Sequence, residues 1–379
     1  KPQFMKKICF ITTSRADFGM VSELIKNSLL KKKINTLVIV SGDHYKDVQK
    51  EFKKNLSIIK KVKINENSLN DLKIAISFSD YVKKFSLKLK FLSPDIFVVF
   101  GDRYEMLAAT LSAYILRIPI AHVAGGEKTA GSLDEGFRHS ITKMANLHFP
   151  TNEKHKKIIK QLGEKPNTIF NYGSLNELKI LKSKTLNKSK LEKKLNIKFA
   201  EKNILLTYHP ETIEKNKSLT NLKLILNVLK KLKNTKIIVT ASNNDSEGIK
   251  MNSFIKKFVK KQMNGNFYFK KTLGSKNYFS LLKVVNLMIG NSSSGISEAP
   301  FFKVPTINLG NRQRGRTMPK SVINSDISSK AISTSLSKVF KMKFKKNVLK
   351  IKKNIAKKIV NQLISFNFKK YNLKLFYDI

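Results

Sequence analysis

The chain has 379 residues, 41% hydrophobic and 26% charged, with 25 Phe and 10 Tyr, a composition that excludes global disorder and fibrous repeats. It is too long for one compact core, and a scale of about 150 residues per domain gives two domains. Its 74 Lys and Arg against 26 Asp and Glu leave a formal net charge of +48, yet only Arg15, Arg103, Arg117, Arg138, Arg312, Arg314 and Arg316 are arginine. Lys is spread through amphipathic segments such as 31 to 33, 53 to 63 and 343 to 358, which reads as a solvated surface. A nucleic-acid binder concentrates Arg with aromatics on one face, so neither a nucleic acid nor a membrane is expected as a partner. Where Lys is the default cation, a position that keeps the planar guanidinium fork needs it. No run of about 18 uninterrupted apolar residues is present to cross a membrane. The first ten residues lack an apolar signal core, Met5 reads as a natural start, and a cytoplasmic location is expected. Cys9, the single cysteine, lies in an apolar run and is expected to be a small core residue.

Short β-rich runs alternate with longer amphipathic stretches, the pattern of parallel βαβ units. Predicted strands run over 7 to 13, 36 to 41, 96 to 101, 118 to 123, 147 to 150 and 168 to 172. After a Lys, Asn and Ser-rich stretch from about 182 to 202 the cycle restarts, with strands over 203 to 208, 236 to 240, 266 to 269, 285 to 289 and 306 to 309. The last predicted helix, 346 to 366, repeats apolar residues at Val348, Ile351, Ile355, Ile359 and Leu363 and should pack on a core. The fold class is therefore α/β, with two doubly wound, Rossmann-like parallel-sheet domains over 1 to 180 and 181 to 345 and a terminal helix over 346 to 379 packing back. Ligands in such sheets bind at the carboxyl ends of the strands, and the natural site is the cleft between the domains.

The residues able to do chemistry fall at those strand ends. The run Thr12-Thr13-Ser14-Arg15-Ala16-Asp17 leads into a helix and places Arg15 near helix-start amides, an anion site in which a surface ion pair is the alternative use of Arg15. No GxGxxG or GxxxxGK[ST] motif occurs, which removes the main support for a dinucleotide or P-loop enzyme. Asp102 emerges in Gly101-Asp102-Arg103-Tyr104-Glu105, where an Asp could serve only as a helix cap. Then come His122-Val123-Ala124-Gly125-Gly126-Glu127 and Asp134-Glu135-Gly136-Phe137-Arg138-His139. Carboxylates and histidines gathered in one place suit proton abstraction and donation once their environments separate their pKa values. In the second half, Pro210 stops a strand and leaves His209 at its tip. Gly290-Asn291-Ser292-Ser293-Ser294-Gly295 turns into a helix and forms a cradle for a diphosphate, with Glu298 one turn on for the ribose hydroxyls. Gly310-Asn311-Arg312-Gln313-Arg314-Gly315-Arg316 is the densest Arg cluster, suited to neutralising phosphate.

Taken in order, SRADFG at 14 to 19, GDRYE at 101 to 105, GGEKTAGSLDEGFRHSITK at 125 to 143, HPET at 209 to 212, GNSSSGISE at 290 to 298 and INLGNRQRGR at 307 to 316 resemble the UDP-N-acetylglucosamine 2-epimerases. The likeness covers about Lys6 to Phe340 and is to the hydrolysing branch that feeds sialic and legionaminic acid synthesis. It implies a GT-B fold, a nucleotide held mainly by the second domain, no metal or redox cofactor, and a homodimer or homotetramer. The implied reaction removes the C2 proton of the sugar, expels the nucleoside diphosphate from C1 and hydrates the resulting 2-acetamidoglucal. By motif match, Asp102 and Asp134 are the acid and base, with Glu127 and His209 completing the catalytic set. Arg15, Arg103, Arg138, His139, Ser292, Ser293, Glu298 and Arg312 then bind the substrate and its nucleotide.

One position departs from the pattern. Many members carry a carboxylate where this chain has Ala124, so either Glu127 or His122 takes that role or the sugar differs. Members with a non-acidic residue there act on 2,4-diacetamido-trideoxy sugars. The first expectation is UDP-N-acetylglucosamine as substrate and N-acetylmannosamine as product. The same chemistry on a UDP- or GDP-linked 2,4-diacetamido-trideoxyhexose is the alternative, and a GT-B glycosyltransferase or a basic nucleic-acid-binding scaffold are the rival classes.

Overall fold

A computed structural model describes residues 5–52, 59–62, 71–129, 132–211, 217–242, 246–262, 265–342, 352–368 and 374–378. The chain divides into two compact units. One comprises Lys1–Glu127, Asp134–Lys179 and Ile351–Ile379, the other Lys128–Leu133 and Ile180–Lys350. No described helix is long and apolar enough to cross a membrane.

The first unit is built on β1 (Lys6–Thr12), β2 (Ile34–Ser41), β3 (Ile59–Val62), β4 (Ile96–Phe100), β5 (Ile120–Val123) and β6 (Leu147–Phe149). They form one six-stranded sheet in the order β3-β2-β1-β4-β5-β6, with every neighbouring pair parallel. Helices cover both faces, so successive residues of β1 enter different cores. Ile8 and Phe10 join one cluster while Cys9 and Ile11 join the other, all of them fully buried. That two-sided burial is why these strands read as continuous apolar runs rather than as alternating ones.

The second unit repeats the plan with β7 (Lys202–Thr207), β8 (Thr235–Thr240), β9 (Phe267–Lys270), β10 (Leu287–Gly290), β11 (Thr306–Leu309) and β12 (Val322–Ser325), in the order β12-β11-β10-β7-β8-β9. Again every neighbouring pair is parallel. In each unit the order reverses beside the first strand, at β1/β4 and at β7/β10. Loops leaving such a pair diverge to opposite faces of the sheet and open a crevice at the carboxyl ends.

Three expectations need correction. The segment 168 to 172 is not a strand. It contributes a lone bridge between Ile169 and His148 after a short 3-10 turn at Pro166–Thr168, whose proline supplies no ladder donor. The edge strands β3 and β12 were not foreseen, because Lys60, Lys61, Asn324 and Ser325 break the apolar run on strands with one neighbour each. The terminal helix begins only at Ile355, since Asn354 sits in the left-handed region at φ 60° and Lys352 to Asn354 are not helical. Val348 and Ile351 lie outside the described residues. Ile355, Ile359 and Leu363 do form a buried stripe, set in the first unit's core with Val21, Leu24 and Ile25.

Candidate active site

The first unit gathers its acidic residues around one arginine. Arg138 lies on the helix Asp134–Met144, and only 1% of its side chain is exposed, against 27% for Asp102. Its Nε donates to Oδ2 of Asp102 at 2.9 Å, and its Nη2 reaches the same oxygen. Its Nη1 donates to the carbonyl of Glu127 at 2.6 Å and to Oε2 of Glu135 at 2.9 Å. Burial works against this charge, and Asp102, Glu127 and Glu135 together more than offset it. The other Glu135 oxygen lies 3.2 Å from His139 Nε2, while His139 Nδ1 is buried with no hydrogen-bond partner. Asp102 is not a helix cap: the helix Tyr104–Ile115 is preceded by Arg103 as its cap residue, and Oδ2 of Asp102 accepts from Arg138. Asp134 opens its helix with Glu135 in the same first turn, where the dipole favours negative charge.

The remaining predicted residues of this unit are placed differently. Arg15 pairs with Asp47 at 2.8 Å, and the two side chains are 66% and 50% exposed, a surface ion pair worth at most about 1 kcal/mol. The buried group of that loop is Asp17, which accepts from Thr13 N at 2.9 Å, Thr13 Oγ1 at 2.8 Å and Ser14 N at 3.1 Å and completes a capping box with Ser14. Arg103 turns onto Glu105, two residues along, at 2.7 Å. His122 is fully buried, with Nε2 donating to the Gly101 carbonyl at 2.9 Å and Nδ1 3.1 Å from Thr142 Oγ1. Burial pushes its pKa down to about 3, so it is neutral and both ring nitrogens are engaged. Ala124 itself has φ 66°, an uncommon conformation for a residue with a Cβ.

In the second unit three strand tips meet at Asn291. Gly290 makes this possible: at φ 132°, a Cβ there would lie 1.9 Å from the Thr207 carbonyl oxygen. The Asn291 backbone N–H then donates to that carbonyl at 3.1 Å. Its side chain accepts from His209 N at 2.7 Å and donates to His209 O at 2.8 Å, and its own carbonyl accepts from Arg312 Nη1 at 3.2 Å and Gln313 Nε2 at 2.8 Å. Burial, and then the charge of Arg312, push the His209 pKa down to about 3, leaving a neutral imidazole at the tip of β7. Glu298 accepts from Ser294 Oγ at 2.5 Å, and Ser294 is in turn bonded to the hydroxyl of half-buried Tyr278. Ser292 and Ser293 precede the single helical turn Ser294–Ser297. Arg314 is exposed.

The structure thus brings Asp102, Glu127 and Arg138 together, with Glu135 and His139 continuing the chain, and separately His209 with Arg312. It turns Arg138 toward protein carboxylates rather than outward. Asn291, Gln313 and Glu135 were missed as individual residues although each lies inside a recognised motif. An uncharged amide after a strand-ending glycine was the signal available for Asn291. Thr212 of the HPET motif lies outside the described residues. Among the described residues, no group of three or more His, Cys, Asp and Glu side chains could hold a metal ion.

Residues 28–363 match the UDP-N-acetylglucosamine 2-epimerase family. The chain belongs to that family. A GDP/UDP-N,N'-diacetylbacillosamine 2-epimerase (hydrolyzing) of Campylobacter jejuni is 37% identical over 350 residues, 90% of this chain and 89% of that protein. A UDP-N-acetylglucosamine 2-epimerase of Neisseria meningitidis is 29% identical over 337 residues, 86% of each chain. The crystal structure of a Neisseria meningitidis UDP-GlcNAc 2-epimerase bound to UDP-GlcNAc matches with a TM-score of 0.75 at 16% identity, covering 95% of this chain and all of that one, a likeness of fold. As a UDP-N-acetylglucosamine 2-epimerase family member, the protein is an enzyme of nucleotide-sugar 2-epimerisation with two Rossmann-like domains of the GT-B type.

Proposed function

We propose that the protein is a hydrolysing nucleotide-sugar 2-epimerase that acts on a nucleoside-diphosphate-linked 2,4-diacetamido-trideoxyhexose. The observation that carries the reaction is the Asp102 carboxylate, partly exposed just past the end of β4 and held by the buried Arg138. A carboxylate fixed by a buried fork loses little orientational freedom when it meets a substrate proton, as a general base requires. One of Asp102 and Asp134 takes the proton from C2 of the sugar. The C1–O bond then breaks, its electrons pass to the diphosphate oxygen, and the C2 electrons form the C1–C2 double bond of a 2-acetamidoglucal. Water adds its oxygen at C1, while C2 receives a proton on the opposite face, which inverts that centre and releases the free sugar. Glu127 assists the proton transfers in this scheme.

Arg312 meets the diphosphate, with Ser292 and Ser293 as further donors and Glu298 toward the ribose. Neutral His209 acts as a hydrogen-bond donor to the leaving oxygen rather than as a resident cation. Arg15 and Arg103, paired with Asp47 and Glu105 here, would exchange those partners for substrate. The choice of a diacetamido sugar rests on the higher identity to the Campylobacter enzyme and on uncharged Ala124; UDP-N-acetylglucosamine, the substrate in the name of the Neisseria relative, is the second reading. Incubation with UDP- and GDP-linked forms of both sugars tests the choice. Free nucleoside diphosphate and reducing sugar should appear without any acceptor, faster from the diacetamido sugars. Turnover that requires an acceptor would identify a glycosyltransferase instead.

A further inference from the structure

Asn291 is fully buried, and both polar atoms of its carboxamide are spent on the backbone of one residue, His209. A planar amide offers one acceptor and one donor side by side, the match for the N–H and C=O of a single peptide residue. The position of His209 makes that match necessary. Strand β7 ends at Thr207, and Pro210 follows with no N–H, so past the strand end no ladder holds the backbone that carries the imidazole. The carbonyl of the same Asn291 accepts from Arg312 and Gln313. One buried residue thereby touches both groups assigned to the leaving diphosphate.

We propose that Asn291 is a positioning residue: its carboxamide holds the His209 imidazole where the leaving oxygen of the nucleotide departs, with Arg312 registered on its carbonyl. The inference rests on the reading of His209 and Arg312 given above. Aspartate at 291 would keep the acceptor for the His209 N–H but set a second oxygen against the His209 carbonyl, and a shorter or apolar side chain would remove both of these bonds. Removing the side chain leaves the Asn291 carbonyl, and with it the Arg312 contact, in place. The inference therefore separates the chemical step from nucleotide affinity.

The test is a double-mutant cycle in the full chain, with a nucleotide sugar that the wild type hydrolyses as substrate. Asn291→Ala should lower kcat by about 10- to 100-fold, with KM and the Kd for the product nucleoside diphosphate within about threefold of wild type. In a His209→Ala background the same change should cost less than about threefold, because its effect runs through the imidazole. Equal, multiplicative losses in both backgrounds would overturn the proposal and leave Asn291 a structural residue. If Asn291→Ala does not fold, Asn291→Asp supplies the reading: a reduced kcat at unchanged product Kd supports the assignment, and wild-type turnover overturns it. A wild type inert toward every nucleotide sugar sinks the functional reading itself, whereas an active wild type with an unaffected variant sinks this inference alone.

Discussion

Arg138 illustrates how much a single side chain decides. Its three nitrogens bind Asp102, the Glu127 carbonyl and Glu135, so a residue expected to touch substrate is held by protein groups on every nitrogen. Lysine cannot reproduce that fork, and Arg138→Lys should lower kcat by about 10-fold or more while KM stays near wild type, as steady-state kinetics can check. Near-normal kcat would show that Asp102 needs no such support. Three histidines bear on the acid stability. Fully buried His122 and half-buried His209 have pKa values of about 3, and His148 is lowered by its burial, against about 6.5 for an unfolded histidine. His122 and His209 are therefore neutral in the folded chain near pH 7 and take up protons on unfolding. Their stabilisation is complete above about pH 6.5 and is lost as the pH falls toward the folded values, each of the two contributing a slope of up to roughly 1.4 kcal/mol per pH unit, and His148 acts in the same direction. Urea midpoints should drop steadily from pH 7 to pH 5, and a flat profile would show that these imidazoles are not held neutral by the fold. The strand-tip location of Asp102 and His209 was legible because each follows an apolar run and sits beside a chain-stopping residue, Gly101 before Asp102 and Pro210 after His209. Arg138 reaching back 36 residues to Asp102 was not, since no local spacing encodes a contact made by packing a helix beside another strand.

At the scale of elements, the apolar runs announced the inner strands and the edge strands β6 and β9 but hid the other two edges, β3 and β12. β3 and β12 each have one neighbour, so Lys60, Lys61 and Asn324 are tolerated there, and periodicity alone passes over them. The opposite error at 168 to 172 came from β-prone residues whose chain finds a single bridge to β6. The terminal helix Ile355–Ser365 was readable from its stripe, and its role follows from where that stripe goes. Ile355, Ile359, Val360 and Leu363 lie in one core with the helix Arg15–Leu29, whose first turn carries the Asp17 cap. Ile359→Ala should cost about 2–5 kcal/mol, measured by chemical denaturation with an unchanged m-value. A loss below about 1 kcal/mol would mean that the helix is not part of the cooperative core. Beyond it, Lys374 bonds Glu164 and the Ala145 carbonyl, and Glu164 also holds Lys143 and buried His148. Burial alone would raise the Glu164 pKa, but His148 and Lys374 hold it below the usual value, so the carboxylate stays charged. Lys143 ends the helix that Asp134 begins, which links the last described residues to the helix carrying Arg138.

For the whole molecule, two repeats of one sheet order place the notable side chains at equivalent addresses, the carboxyl ends of the strands beside each switch point. The first unit holds carboxylates and a buried arginine there; the second holds a neutral histidine, an amide and an arginine. That division fits a reaction in which one set moves a proton and the other accepts a departing diphosphate. The high Lys content belongs to neither set. Asp102→Asn and Asp134→Asn should each lower kcat by about 10² to 10⁴ while nucleoside diphosphate binding persists, the usual worth of a positioned acid or base. The most direct test of the proton chemistry is turnover in D2O with mass or NMR analysis of the released sugar. Elimination through a 2-acetamidoglucal predicts one deuterium at C2, because that carbon takes its new hydrogen from solvent-exchanged groups; a product that keeps its original C2 hydrogen would mean direct hydrolysis at C1 and would contradict the roles given to Asp102 and Asp134.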